Sequence, residues 1–302
     1  MSVGVLVMAH GTPSSPEGIE PFYTRIRRGH PPSAEQLADL TSRYLAIGGV
    51  SPLTERTAAQ VVGLSRALEA AHPGQFDVRF GSKFEPPVLE EAAQSFRDEG
   101  FSRVVGLVLA PHSSSMSTEQ YMSRARSTLG EGVTFLEIGA WYDAPGFLEL
   151  IARRVNDALA RIPAERRARA HVIFSAHSLP ERVVEMGDTY PEQLTDSARR
   201  AAAIAGVASF RVAWQSAGRT ADAWLGPDIL DVIRELATSG VTDIISCPIG
   251  FVSDHLEVLY DIDIEAQGVA HHAGLNLIRT ASLNDDPTFV GILADLVSRT
   301  AD

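Results

Sequence analysis

Cysteine is almost missing: Cys247 is the only one in 302 residues. That excludes an intramolecular disulfide and any zinc or iron–sulfur centre built from several cysteines of this chain. A [2Fe–2S] cluster, which needs four suitable ligands, is therefore not expected, and neither is an organic cofactor. Long apolar runs are absent too. The longest stretches are strand-sized, far short of the roughly 20 residues of a membrane helix, and the N-terminus lacks the basic start and cleavage site of a secretory signal. The expectation is a soluble, cytoplasmic protein without stable membrane association. Positive charge is in deficit, with 26 Lys and Arg against 38 Asp and Glu, a net charge of −12. Nucleic acid is thus not an expected partner, and an anionic ligand would have to find a local basic patch. Several signatures are also missing. There is no Walker loop, no Gly-x-Ser-x-Gly elbow and no His-Glu-x-x-His, and the nearest dinucleotide match, "GEGVTF", lacks its third glycine.

What is present is a hydrophobic content of 45%, enough for a substantial core in one large or two ordinary domains. Strand-like runs alternate with longer helical patterns, the signature of parallel α/β sheets. Four runs lie in each half: 3–13, 76–82, 103–114 and 133–147, then 172–180, 209–218, 243–255 and 275–289. The two sets match in order. Ala-His-x-x-Pro follows the first strand of each, a Pro-containing exit the third, and Asp-x-Pro-x-Phe the fourth, which is either an internal duplication or a chance likeness of strand-to-helix turns, where Pro and Asp suit any helix start. The charged segment "RIPAERRARA", 161–170, marks the join, giving expected domains 1–165 and 166–302. In open α/β sheets ligands bind beyond the carboxyl ends of the strands, where His10 and His177 both stand.

At such an exit His177 is either a hydrogen-bonded structural residue or a group that accepts a proton or binds a metal near neutral pH. Glu257, Asp261 and Glu265 recur every four residues in "GFVSDHLEVLYDIDIEAQG". On a helix they form a ladder roughly 12 Å long that an ordinary α-helix would fan sideways by about 40° per step, and that a wider turn could straighten. The ladder is either a solvated acidic face or, since Leu256, Val258, Leu259, Tyr260, Ile262 and Ile264 leave little polar surface, a buried line wanting a cation. Spaced this openly, oxygen ligands suit passage of a divalent metal better than a closed trap. The early cations Arg25, Arg27, Arg28 and Arg43, with Tyr44 and Ser51, are either a solvated helix end or a carboxylate-recognition group. Gln215, Ser216, Gly218 and Trp224 place polar groups and an aromatic plate on one loop. Tyr121, Trp141, Tyr142, Met8 and Met116 offer surface for a large planar ligand. The adjacent His271 and His272 read as surface residues.

Taken together, "VMAHGTP", "YTRIRRGHPP", "RYLAIGGVSPL", "VLAPHSSSMS", "SAHSLPERVVEMGDTYP", "WQSAGRTADAWLGPD" and "PIGFVSDHLEVLYDIDIEA" resemble the ferrochelatases over essentially the whole chain, in the short soluble form of Gram-positive bacteria that acts on coproporphyrin III. The resemblance implies an α/β fold of two Rossmann-like domains, each a four-stranded parallel sheet flanked by helices, around a porphyrin cleft. It implies insertion of Fe²⁺ into coproporphyrin III in haem b biosynthesis, with iron as substrate. The pair at the reacting face would be His177 and Glu257, with Asp261 and Glu265 running toward an outer metal site. Arg27, Arg43, Tyr44 and Ser51 match propionate-handling positions, while Lys83, Tyr121, Gln215 and Trp224 match other cleft positions. In one departure, His10 replaces a tyrosine common in this group and becomes a candidate axial ligand of the product iron. The expected partners are coproporphyrin III, ferrous iron and, transiently, adjacent haem-pathway enzymes, with the chain a monomer. The competing readings are a protoporphyrin IX ferrochelatase, another tetrapyrrole chelatase such as a sirohydrochlorin cobaltochelatase, and a non-catalytic haem or metal carrier.

Overall fold

The computed structural model describes residues 2–218 and 220–302, so Arg219 of the "WQSAGRTADAWLGPD" stretch lies outside the described residues. The β-branched runs form β1 (Val3–Ala9), β2 (Phe76–Ser82), β3 (Arg103–Val108) and β4 (Thr134–Ile138) in the first half. In the second half they form β5 (His171–His177), β6 (Phe210–Gln215), β7 (Asp243–Cys247) and β8 (Asn276–Arg279). Two four-stranded sheets result, ordered β2-β1-β3-β4 and β6-β5-β7-β8, with every pairing parallel. The same relative order in both halves matches the repetition in the sequence.

Between β1 and β2 run α1 (Ile19–Ile26), α2 (Ala34–Ala46) and α3 (Leu53–Ala71). The crossovers α4 (Leu89–Asp98) and α5 (Thr118–Leu129) complete the first sheet, and α6 (Pro145–Ala160) with the short α7 (Ala164–Arg167) leads to the second. There α8 (Arg182–Glu185), α9 (Tyr190–Ala205), α10 (Ile229–Thr238), a π-helix (Val258–Ala266), α11 (Gln267–His272) and α12 (Pro287–Ala301) follow. None of these helices is long and apolar enough to cross a membrane.

Alternation along the buried strands sets the layers. Leu6 and Met8 of β1 face a core with Leu89, Phe96 and Met122 from α4 and α5. Ile173 of β5 faces a second, with Ile229, Ile233 and Ile262. The intervening residues, Val5 and Val7 from β1 and Val172, Phe174 and Ala176 from β5, belong to one central core shared by both sheets. The helices that fill it are exchanged between the halves. Helix α6, before the expected join, packs on α9 and β7, while α12, at the end of the chain, packs on α3, β3 and β4. The repeated Asp-x-Pro-x-Phe starts both: Pro145 and Pro287 take first-turn positions where no N–H is needed, and Phe147 and Phe289 are fully buried near Trp141.

Candidate active site

The strands of each sheet deliver their carboxyl ends to one cleft. His177 closes β5, and its Nδ1–H donates to the Ser178 carbonyl, which leaves the Nε2 lone pair facing outward. Glu257, just before the π-helix, brings Oε2 to 3.7 Å from that Nε2. Two contacts set this approach. Gly250, in the loop after β7, donates its N–H to the Ser175 carbonyl of β5 at 3.1 Å. A Cβ on Gly250 would stand 2.4 Å from Ala176 Cβ, so only glycine lets that loop lie against the strand that carries His177.

The ladder residues 258–266 form the wider helix, with hydrogen bonds reaching five residues back. Its turn holds more than four residues, so a four-residue step falls short of a full turn instead of overshooting it. Asp261 and Glu265 consequently line the same cavity of about 140 Å³, with Arg43, Gln215 and Ser216. Asp261 is buried. One of its oxygens accepts from the Ser216 hydroxyl and from Gln215 Nε2 at 3.4 Å, and the other lies 3.5 Å from Arg43 Nη1. Burial and then the Glu257 charge push its carboxyl up to about 7, against the opposing pull of Ser216 and Arg43. Burial would also raise Glu257, but the imidazoles of His177, His255 and His10 and the Ser216 hydroxyl bring it below the ordinary carboxylate value. Among the described residues no three Asp, Glu, His or Cys side chains converge closely enough to enclose a metal ion.

His10 follows β1 and opens to the cleft between the rings of Phe84 at 4.8 Å and Phe22 at 5.9 Å, its Nδ1–H donating to the Gly11 carbonyl at 3.0 Å. The walls around it disfavour a charge, so its pKa falls to about 4 even though Glu257 pulls it the other way, and it is neutral at physiological pH. Its neighbour Thr12 ties this loop to α2 through a 3.0 Å hydrogen bond with the Tyr44 hydroxyl.

Of the other cleft positions read from sequence, Arg43 stands at the ladder, its guanidinium 4.9 Å from the Tyr260 ring centroid. Trp224 is half-buried and covers Gly218, its Nε1–H donating to Thr220 at 3.1 Å. Arg27 folds back on the end of α1, donating to the His30 carbonyl at 3.2 Å. Tyr44, Ser51, Tyr121 and Gln215 are all buried. The Ser51 hydroxyl accepts from Leu53 N–H at 3.3 Å, and Gln215 links Ser175 to the Glu257 carbonyl. Lys83, the only lysine in the sequence, sits 4.9 Å from the Tyr121 ring centroid and donates to Gln120 at 2.8 Å. Burial, with Arg124 and Arg28 nearby, lowers its pKa to about 8.

A family model for ferrochelatase matches residues 2–301. The chain belongs to the ferrochelatase family. It is 44% identical over 300 residues to the coproporphyrin III ferrochelatase of Geobacillus kaustophilus (strain HTA426), covering 98% of this chain and 95% of that protein. It is 42% identical over 299 residues to the coproporphyrin III ferrochelatase of Bacillus subtilis (strain 168), covering 98% and 96%. A ferrochelatase of Herpetosiphon aurantiacus is 42% identical over 297 residues, 97% of each chain. The structure of SirB from Bacillus subtilis with Fe³⁺ matches all of this chain and 96% of its own with a TM-score of 0.61, a likeness of fold at 14% identity.

Sequence reasoning passed over two residues that touch the His177–Glu257 pair. His255 points Nε2 at the same Glu257 oxygen, 4.0 Å away, while its Nδ1–H donates to the Ser253 carbonyl at 3.0 Å. Its signal was its place two residues before Glu257. Tyr190 donates its hydroxyl to the His177 carbonyl at 3.0 Å, and only the "GDTYP" part of the quoted motif hinted at it.

Proposed function

We propose that the protein inserts Fe²⁺ into coproporphyrin III, releasing the two pyrrole protons and giving the iron porphyrin. The observation that carries this reading is a cluster of proton-accepting side chains around one carboxylate oxygen. With their Nδ1–H groups spent on carbonyls, His177 and His255 both turn Nε2 toward Glu257 Oε2, an atom buried without a hydrogen-bond partner. Two imidazole nitrogens beside one carboxylate oxygen form a site that holds protons or a cation, and the reaction releases protons and brings a divalent cation. The coproporphyrin III ferrochelatases to which 98% of this chain is similar support the porphyrin.

In this mechanism Arg27 and Arg43, with Tyr44 and Ser51 behind them, hold the macrocycle's carboxylates. Tyr121, Gln215 and Trp224 shape the wall. The cavity lined by Asp261 and Glu265 admits the metal and begins to strip its water. His177 Nε2 takes one pyrrole proton and Glu257 takes or relays the other. His10, neutral and with Nε2 free of the Gly11 bond, is the candidate axial ligand of the product iron. The active unit in this reading is a cytoplasmic monomer.

Anaerobic turnover followed by porphyrin absorbance tests the assignment. His177→Ala and Glu257→Gln should each lower kcat by at least about 100-fold while porphyrin affinity changes only a few-fold. Unchanged turnover in both variants refutes it. Faster wild-type turnover of protoporphyrin IX would reassign the substrate, and stoichiometric binding without multiple turnovers would make the protein a carrier.

A further inference from the structure

The peptide that follows His177 is held on both edges. The Tyr190 hydroxyl donates to the His177 carbonyl at 3.0 Å, and the Ser178 N–H donates to the Gln215 carbonyl at 2.8 Å. The imidazole hangs from the next carbonyl, because its Nδ1–H is spent on Ser178 O. A ring tethered this way points where that carbonyl points; with the preceding peptide held, only the two Ser178 backbone rotations can redirect it, and the Ser178 hydroxyl is itself held by the Leu225 carbonyl at 2.8 Å.

Tyr190 is itself over-determined. Its ring is buried between Trp214, 5.5 Å away, and His112, 6.2 Å away. Its N–H donates to Asp188 Oδ1 at 3.0 Å, while Asp188 Oδ2 accepts the Ser114 hydroxyl, the Ser115 N–H and the Ser115 hydroxyl, each at 2.8 Å. Ser114 and Ser115 lie in the loop between β3 and α5, so a first-half segment reaches the second-half histidine through two residues. A phenylalanine would fill the same space; what the hydroxyl adds is the bond to the strand-exit carbonyl.

We infer that Tyr190 is a positioning residue for His177, locking its Nδ1–H tautomer and the aim of Nε2, and that Asp188 anchors this lock to the first half of the molecule. The inference rests on the reading of His177 as the proton acceptor.

The test is Tyr190→Phe in the full-length protein. In ¹⁵N-histidine spectra, with the His177 signals identified by their loss in His177→Ala, the wild type should show the Nδ1–H tautomer and the variant a mixture. With coproporphyrin III and Fe²⁺, kcat should fall about 3- to 10-fold, KM should stay within about two-fold and the thermal midpoint within about 3 °C. Asp188→Asn, which keeps the volume and weakens the acceptor, should move both readouts in the same direction by less. An unshifted His177 spectrum in Tyr190→Phe overturns the inference, as does a rate loss matched by an equal loss of porphyrin binding. Because the spectra need no turnover, they decide the positioning claim even if the chelatase reading fails.

Discussion

Between Glu257 and Glu265, the Asp261 carboxyl gives up most of its water and gains two negative neighbours, so folding raises its pKa from 3.8 to about 7. For an acid raised on folding, the native state keeps a proton that the unfolded chain has released. The associated stability is therefore complete below about pH 4 and lost as pH rises through about 7. Asp261→Asn keeps the hydrogen bond from Ser216 and removes that loss. Relative to wild type, it should gain about 1–3 kcal/mol between pH 5 and pH 8, measured as the change in urea unfolding free energy at the two values. A difference independent of pH would mean that the carboxyl is already ionised throughout. Four-residue spacing made the ladder legible, but this conflict was not, because it depends on burial and on the opposing pull of Ser216 and Arg43 from two other segments.

At the scale of elements, the distance between His177 and Glu257 is governed by how closely the loop after β7 lies on β5. Gly250→Ala would place a methyl 2.4 Å from Ala176 Cβ and 2.9 Å from its Cα, and backbone cannot yield as a flexible side chain does. Overpacking of this kind costs about 1–3 kcal/mol. The loop must lift away, carrying the start of the π-helix with it, so the catalytic loss should exceed what stability alone explains. We expect a folded protein whose kcat is at least about ten-fold lower at a temperature well below its unfolding midpoint. Wild-type turnover in Gly250→Ala would show that the loop does not set the pair's separation. The strands, their parallel pairing and the strained four-residue repeat of acids were all written in local pattern. Gly250 was not, since "PIGF" reads as an ordinary strand exit until β5 is known to lie against it. His255 was missed for a similar reason: only the folded loop turns it back toward Glu257.

For the whole molecule, the two halves are joined more deeply than their separate sheets suggest. An amphipathic pattern says that α6 and α12 each bury a face but not which sheet receives it, and so their exchange could not be read in advance. Polar links reinforce it. Gln60 on α3 donates to Ser253 at 2.9 Å and to the Asn284 carbonyl at 2.8 Å, and Arg154 on α6 pairs with Asp286 at the start of α12 at 2.6 Å. His112, in the loop after β3, adds a buried histidine to this set. It is 2% exposed, stacks on Tyr142 at 5.8 Å and shares a 2.8 Å hydrogen bond with Ser197 of α9, while its Nδ1 is buried without a partner. Burial alone drives its pKa down to about 3. The unfolded chain binds a proton near pH 6.5 that the native state refuses, so the stability tied to His112 is complete above that value and drains away as pH falls toward 3. Each pH unit in that window is worth about 1.4 kcal/mol. His112→Gln, which can keep one hydrogen bond to Ser197 and cannot titrate, should therefore lose about 1 kcal/mol less than wild type between pH 7.5 and pH 5.5 in urea unfolding. Parallel losses in the two proteins would place the acid sensitivity of the joined halves elsewhere, with His10 and its pKa of about 4 the next group to replace.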